Sequence, residues 1–251
     1  MDCESTSVAI VILAAGLGTR MKSDKAKVLH KILGRPMILF VMDVAQAVAA
    51  NNIILVVGHQ ADKVRQIVAT QADVKYAYQA EQLGTGHAVK CALPAVPTSI
   101  RHVVILCGDV PLLKAETLQR FVNDHRSHHR TLSVLAVNLI NPTGYGRIIL
   151  DRAGMVTEIV EEADANSDQK AVQLVNTGIY CVERDFLETA LQQVGADNAQ
   201  GEYYLTDIVR VAHKAGVAIG ATVGENADEF VGINSREQLK VVEEMIRSNR
   251  A

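Results

Sequence analysis

Apolar positions along the first half of the chain fall into two alternating rhythms. Val8-Ala9-Ile10-Val11-Ile12-Leu13 is an unbroken apolar run, the pattern of a strand covered on both faces. After a polar loop, residues 36–50 carry helical spacing, with Pro36 suited to a first turn. Further strands are expected at 53–57, 74–78, 103–107 and 132–138, and helices at 61–70, 86–93 and 115–127. Such alternation predicts a parallel sheet with helices on both faces. Beyond Asn141 the texture changes. Residues 146–151 and 155–161 read as a hairpin turning at Arg152-Ala153-Gly154. A strand at 173–182, a helix at 183–193, an amphipathic helix at 203–215, a strand at 217–223 and a closing helix at 235–247 complete the pattern. No linker or internal repeat divides it, so one α/β domain with a β-rich insertion is expected.

Composition narrows the class. With 251 residues, 49% of them hydrophobic and 21% charged, the chain has material for a sizeable core and is not a disordered type. Its formal charge of −3 gives no reason to expect nucleic acid or an anionic membrane as partner. The apolar run at 8–15 is far too short to span a bilayer. The opening Met1-Asp2-Cys3-Glu4 is acidic, unlike a signal peptide. Cys3, Cys91, Cys107 and Cys181 form no C-x-x-C pair, and a reduced, cytoplasmic protein is expected.

The first strand runs into Leu13-Ala14-Ala15-Gly16-Leu17-Gly18-Thr19-Arg20-Met21. Two glycines two residues apart permit a tight turn whose N–H groups can face one anion. A dinucleotide fingerprint fails at Met21, where its third glycine would stand, and Gly58-His59 replaces the acid after the second strand. A Walker A motif fails as well. Six cations follow the loop (Arg20, Lys22, Lys25, Lys27, Lys31 and Arg35) with only Asp24 against them. They suit either a polyphosphate or a solvated basic loop; their place at the carboxyl end of the first strand favours a ligand.

Asp109 stands just past the fourth strand, after Gly108, where a carboxylate facing the basic loop could carry Mg²⁺. It could equally open the turn before Pro111. Asn234 precedes Ser235-Arg236-Glu237-Gln238, which has the form of a capping box, and reads locally as a helix-entry residue. Residues 79–87 alone read as a polar loop entering a helix, Asn176-Thr177-Gly178 as a bend in a strand, Tyr145 as a core aromatic and Glu161 as part of a solvated face. His125, His128 and His129 have only Asp124 as a nearby carboxylate and are flanked by Arg126 and Arg130, so a solvated helix end is expected there. His87 reads as a hydrogen-bonded helix residue rather than a general base.

The string from Leu13 to Met21, followed by Lys27-Val28-Leu29, resembles the signature of sugar-phosphate nucleotidyltransferases. Four further segments narrow the likeness: Gln79-Ala80-Glu81-Gln82-Leu83-Gly84-Thr85-Gly86-His87, Asn141-Pro142-Thr143-Gly144-Tyr145-Gly146-Arg147, Val175-Asn176-Thr177-Gly178, and Asn198-Ala199-Gln200-Gly201-Glu202-Tyr203-Tyr204-Leu205-Thr206-Asp207. In this order, over nearly the whole chain, they resemble the N-terminal uridylyltransferase half of bifunctional bacterial N-acetylglucosamine-1-phosphate uridyltransferases. The resemblance implies a Rossmann-like, mostly parallel sheet with a β-rich lid on the sugar side. It places nucleotide binding at about 1–140, sugar binding at about 141–234 and a last helix at 235–247. It implies UTP and N-acetylglucosamine-1-phosphate as substrates.

The same resemblance implies the site. Leu13, Ala14, Ala15 and Gly16 would contact the nucleotide through the backbone, with Cys107 and Gly108 alongside. Gln79, Gln82, Gly84 and Thr85 would read the uracil. Arg20 and Lys27 would contact phosphates, and Asp109 and Asn234 would hold Mg²⁺. Gly146, Glu161 and Asn176, with Tyr204, Thr206 and Asn234 nearby, would contact the sugar. Two positions depart from the family: Ala163 stands where a lysine often follows the matching glutamate, and Leu17 where a lysine is frequent. No hexapeptide repeats follow, so no acetyltransferase activity is expected. Two rival classes remain on the residues alone, a nicotinamide oxidoreductase and a non-catalytic nucleotide-sugar binder.

Overall fold

A computed structural model describes residues 8–248; Cys3 lies outside them. The strands are β1 (Val8–Leu13), β2 (Lys31–Ile32), β3 (Arg35–Pro36), β4 (Ile53–Val57), β5 (Lys75–Tyr78), β6 (His102–Cys107), β7 (Leu132–Asn138), β8 (Arg147–Leu150), β9 (Val156–Val160), β10 (Leu174–Glu183) and β11 (Ile219–Val223). The helices are α1 (Met37–Ala49), α2 (Ala61–Val68), α3 (Thr85–Ala92), α4 (Ala115–Ser127), α5 (Ser167–Lys170), α6 (Arg184–Leu191), α7 (Asp207–Lys214) and α8 (Arg236–Ser248).

The main sheet runs β11-β7-β10-β6-β1-β4-β5, and the β8–β9 hairpin joins it through β10. Alternate residues of the buried strands serve two cores. Ile10, Ile12, Leu55 and Leu106 pack toward α1, α2 and α4 on one face. Ala9, Val11, Ile54 and Ile105 pack toward α3, α6 and α7 on the other. The unbroken apolar runs follow from this, since a strand covered on both faces needs no polar alternate. Each fully buried Ile or Leu contributes about 1.5–3 kcal/mol.

The Rossmann-like α/β class is as expected, with one strand reversed. β10 is antiparallel to both β6 and β7, whereas β4, β5 and β6 run parallel with β1, directly or through a neighbour. The chain passes from β1 outward to β4 and β5, then returns to β6 on the other side of β1. That reversal opens a crevice at the carboxyl ends of β1 and β6, where open α/β sheets bind ligands. The register aligns Leu13 with Cys107 and Val56, so the loops after β1, β4 and β6 emerge side by side.

The helix expected over 203–215 begins only at Asp207. The backbone of the preceding segment is bonded elsewhere: Tyr203 N donates to Leu83 O (2.8 Å), Gly86 N to Tyr203 O (2.7 Å) and Leu205 N to Thr85 Oγ1 (3.0 Å). His125 also departs from expectation. It is fully buried rather than solvated, with Nδ1 2.9 Å from Ser133 Oγ and Nε2 3.2 Å from His102 Nδ1. The amphipathic period of α4 places it beside Leu118 and Phe121, facing the sheet. His128 and His129 are exposed, and no cluster able to hold a metal occurs among the described residues by the usual His, Cys, Asp and Glu count. No helix there is long and apolar enough to cross a membrane.

Candidate active site

The glycine loop leaves β1 at the crevice. Gly18 adopts φ +68°, and a Cβ there would lie 2.7 Å from Lys27 Cβ, so the loop closes over Lys27 only with glycine. The Lys27 ammonium meets Asp109 Oδ2 at 2.5 Å and Asn234 Oδ1 at 3.0 Å. Arg20 Nη2 donates to the same Asn234 oxygen at 2.9 Å. Residues separated by 214 positions are thus joined around one point. Asn234 arrives there because the capping box forms: Gln238 N donates to Ser235 Oγ, and Gln238 Oε1 accepts from Ser235 N and Asn234 N. Arg236 then ties α8 to the glycine loop through Met21 O (3.0 Å) and Lys22 O (3.2 Å).

Beside this cluster lies a cleft of about 470 Å³, lined by Leu13, Ala14, Ala15, Gly16, Lys27, Gln79, Gln82, Gly84, Thr85, Cys107 and Asp109, among others. A Cβ on Gly16 would meet no protein atom within 4 Å, which leaves its backbone open to a ligand. Gly108 sits behind the wall instead, its N–H donating to Leu13 O at 2.9 Å to tie β6 to β1. Burial, and next the Asp109 carboxylate, push the Cys107 thiol up to about 12. It lines the cleft as a neutral group, not a nucleophile.

A second cluster forms where β10 bulges between Asn176 and Ile179. Asn176 N donates to Gly146 O (2.8 Å), and Asn176 Nδ2 to Tyr180 Oη (2.7 Å). Thr206 Oγ1 donates to Glu161 Oε1 at 3.1 Å. A Cβ on Gly146 would come 3.4 Å from Glu161 Oε2. Glu161 therefore does not belong to a solvated face. Burial, with Asp164, Asp207 and Glu202 nearby, raises its pKa, and the Thr206 hydroxyl offsets part of that rise. The Tyr204 hydroxyl is buried without a hydrogen-bond partner of normal geometry among the described residues. Burial, and next the charge of Asp164, push it up to about 12.

The sequence matches the nucleotidyl transferase family over residues 9–228. The chain belongs to that family. It is 47% identical to bifunctional protein GlmU of Geotalea uraniireducens over 241 residues, which is 96% of this chain and 53% of that protein. The same-named protein of Geobacter sulfurreducens is 48% identical over 233 residues, 93% of this chain and 49% of its own length. That of Caldanaerobacter subterraneus subsp. tengcongensis is 47% identical over 237 residues, 94% and 51% respectively. The chain spans about half the length of the curated relatives it matches.

In this nucleotidyl transferase only two of the six loop cations converge on the crevice. Arg35 is bound to Asp43 (2.5 Å) and lies over Phe40, and it serves the packing of α1. Lys22, Lys25 and Lys31 make no ion pair among the described residues, so the solvated reading holds for them. Asn234 was expected at both metal and sugar; its side-chain contacts are with Arg20 and Lys27. One cleft residue went unread: Glu202 lines the cleft, and its place in the 198–207 motif was the available signal. Tyr145 packs against the core as expected.

Proposed function

We propose that the chain transfers the uridylyl group of UTP to N-acetylglucosamine-1-phosphate, forming UDP-N-acetylglucosamine and pyrophosphate. The observation that carries this reading is the shared contact of Lys27 with Asp109 and Asn234 at the edge of a cleft walled by the glycine loop. The substrate pair rests on the five motifs and on relatives named bifunctional protein GlmU.

In the reaction a sugar-phosphate oxygen bonds to the α-phosphorus of UTP. The bond from that phosphorus to the bridging oxygen breaks, and its electron pair leaves with pyrophosphate. Atoms and charge balance without a proton transfer, so positioning and charge neutralisation do the catalysis. Arg20 and Lys27 supply fixed positive charge for the phosphates. Gln79, Gln82, Gly84 and Thr85 hold the base, and the backbone at residues 13–16 holds the nucleoside. Gly146, Glu161, Asn176 and Thr206 form the acceptor-sugar pocket, with Tyr204 behind it.

Asp109 Oδ2 and Asn234 Oδ1 are hard oxygen donors that both lie within contact of a single cation, the Lys27 ammonium. Such a pair suits Mg²⁺, which takes one or two protein oxygens and completes its shell with water and phosphate. Bound there, the metal would supply charge neutralisation between the two phosphate groups. Three free thiols among the described residues accord with a reduced, cytoplasmic setting.

Pyrophosphate release from UTP with the sugar phosphate, with and without EDTA, tests the reading. Metal-dependent release, faster with N-acetylglucosamine-1-phosphate than with glucose-1-phosphate, is the expected result. Nucleotide-sugar binding with no release would instead identify a non-catalytic binder.

A further inference from the structure

The base-reading loop contains a hydrogen-bond chain that continues beyond the cleft to His87. Gln79 is 4% exposed and lines the cleft. Its Nε2 lies 3.0 Å from Gly84 O and 3.1 Å from His87 Nδ1. A backbone carbonyl can only accept, so the amide atom facing Gly84 must be the NH₂ group. Its two hydrogens then go to Gly84 O and His87 Nδ1. His87 must accept at Nδ1 and carry its own hydrogen on Nε2, which points toward Cys91 Sγ at 3.7 Å. The Gln79 Oε1 atom takes no bond from any described residue, so an acceptor alone is offered to a ligand.

We propose that His87 is a positioning residue for base selection: by accepting from Gln79 it holds the amide so that the site takes a pyrimidine carrying a ring N3–H. Uracil has that donor between two keto oxygens. Cytosine has a lone pair at N3 and an amino group beside it, so it meets the Gln79 oxygen with no matching donor at N3. A site built around one polar group rejects the unmatched partner because a buried acceptor is left unpaired. The inference rests on the nucleotide reading above and adds the device that enforces it.

His87 does not line the nucleotide cleft. Its ring stands against Tyr203, centroids 6.4 Å apart. It faces a separate hollow of about 330 Å³ with Leu83, Lys90, Cys91 and Leu191. Its influence on the base therefore passes through Gln79. Gly84 sets the other half of the device. Its φ of +109° and its approach to Tyr203, whose carbonyl oxygen would lie 2.6 Å from an added Cβ, place the carbonyl that fixes the amide.

The test pairs His87→Leu, which keeps apolar packing but removes the acceptor, with His87→Asn, whose Oδ1 can stand in for Nδ1. Pyrophosphate release is measured with UTP and CTP, and UMP and CMP binding by calorimetry. His87→Leu should raise the KM for UTP and shrink the UTP:CTP ratio of kcat/KM about tenfold, the worth of one hydrogen bond, with little change in kcat. His87→Asn should restore much of the ratio. An unchanged ratio in His87→Leu overturns the proposal. ¹⁵N NMR of the wild-type imidazoles needs no variant: an Nε2–H tautomer at His87 is expected, and an Nδ1–H tautomer overturns the lock. If wild-type protein releases no pyrophosphate from either nucleotide, the proposed reaction fails, and the UMP:CMP binding ratio still decides the role of His87.

Discussion

Glu161 costs the fold stability in its charged form, and its proposed role is contact with the acceptor sugar. Burial and three neighbouring acids raise its pKa, so the folded protein holds the charged form at a cost. The penalty grows as pH rises from the usual carboxylate range through the raised value, and is complete above it. Glu161→Gln should therefore melt higher than wild type at pH 8, with the difference closing toward pH 4, as followed by thermal denaturation. The same change should raise the KM for the sugar phosphate by roughly 10–100-fold through loss of a charged hydrogen bond. At the other cluster, Arg20→Ala and Asp109→Ala should each lower turnover by about 10²–10³, the usual cost of one electrostatic contact to a transition state. Rates near wild type in either, measured by pyrophosphate release, would remove that residue from the mechanism.

Between elements, the buried histidines join α4 to β6 and β7. Burial, and next its neighbour His102, lower His125 to about 4, and burial followed by Arg101 lowers His102. The stability contributed by neutral His125 is present above the ordinary histidine value near 6.5 and lost as pH falls toward 4, and the lowering of His102 acts in the same direction. Urea unfolding across that window should show stability falling by about 1.4 kcal/mol per pH unit for each proton taken up. His125→Gln should flatten the slope; an equally steep slope would place the acid sensitivity elsewhere. The late start of α7 has a related origin. Backbone groups at 203–205 are bonded to the 83–86 loop, so a tertiary contact overrode the amphipathic pattern there.

Across the molecule, α8 is fastened to the glycine loop by a small separate core of Met21, Ile32, Met37, Ile233 and Val242. Arg236 adds its two carbonyl contacts. This fastening holds Asn234 opposite Asp109, so Arg236→Ala should disturb phosphate binding more than base binding. A KM for UTP raised about fivefold with UMP affinity unchanged is the expected result, beside a stability loss of about 1 kcal/mol. Equal losses for UMP and UTP, measured by calorimetry, would show that the helix acts on the whole cleft.

Local pattern alone determined the α/β class, the order of the longer elements (though not the short β2, β3 and α5) and the loop ends that carry Gly16 and Asp109, because apolar runs and glycine turns report burial and backbone freedom directly. The motifs supplied the candidate residues through resemblance. The direction of β10, the burial of Glu161 and His125, and the meeting of Lys27 and Arg20, which the motifs had already singled out, at one Asn234 oxygen were decided by tertiary structure. Each depends on partners far away in the chain, as when Asn234 meets Arg20 across 214 positions. Charge and period describe a residue's own segment, whereas a site is made where separate segments meet.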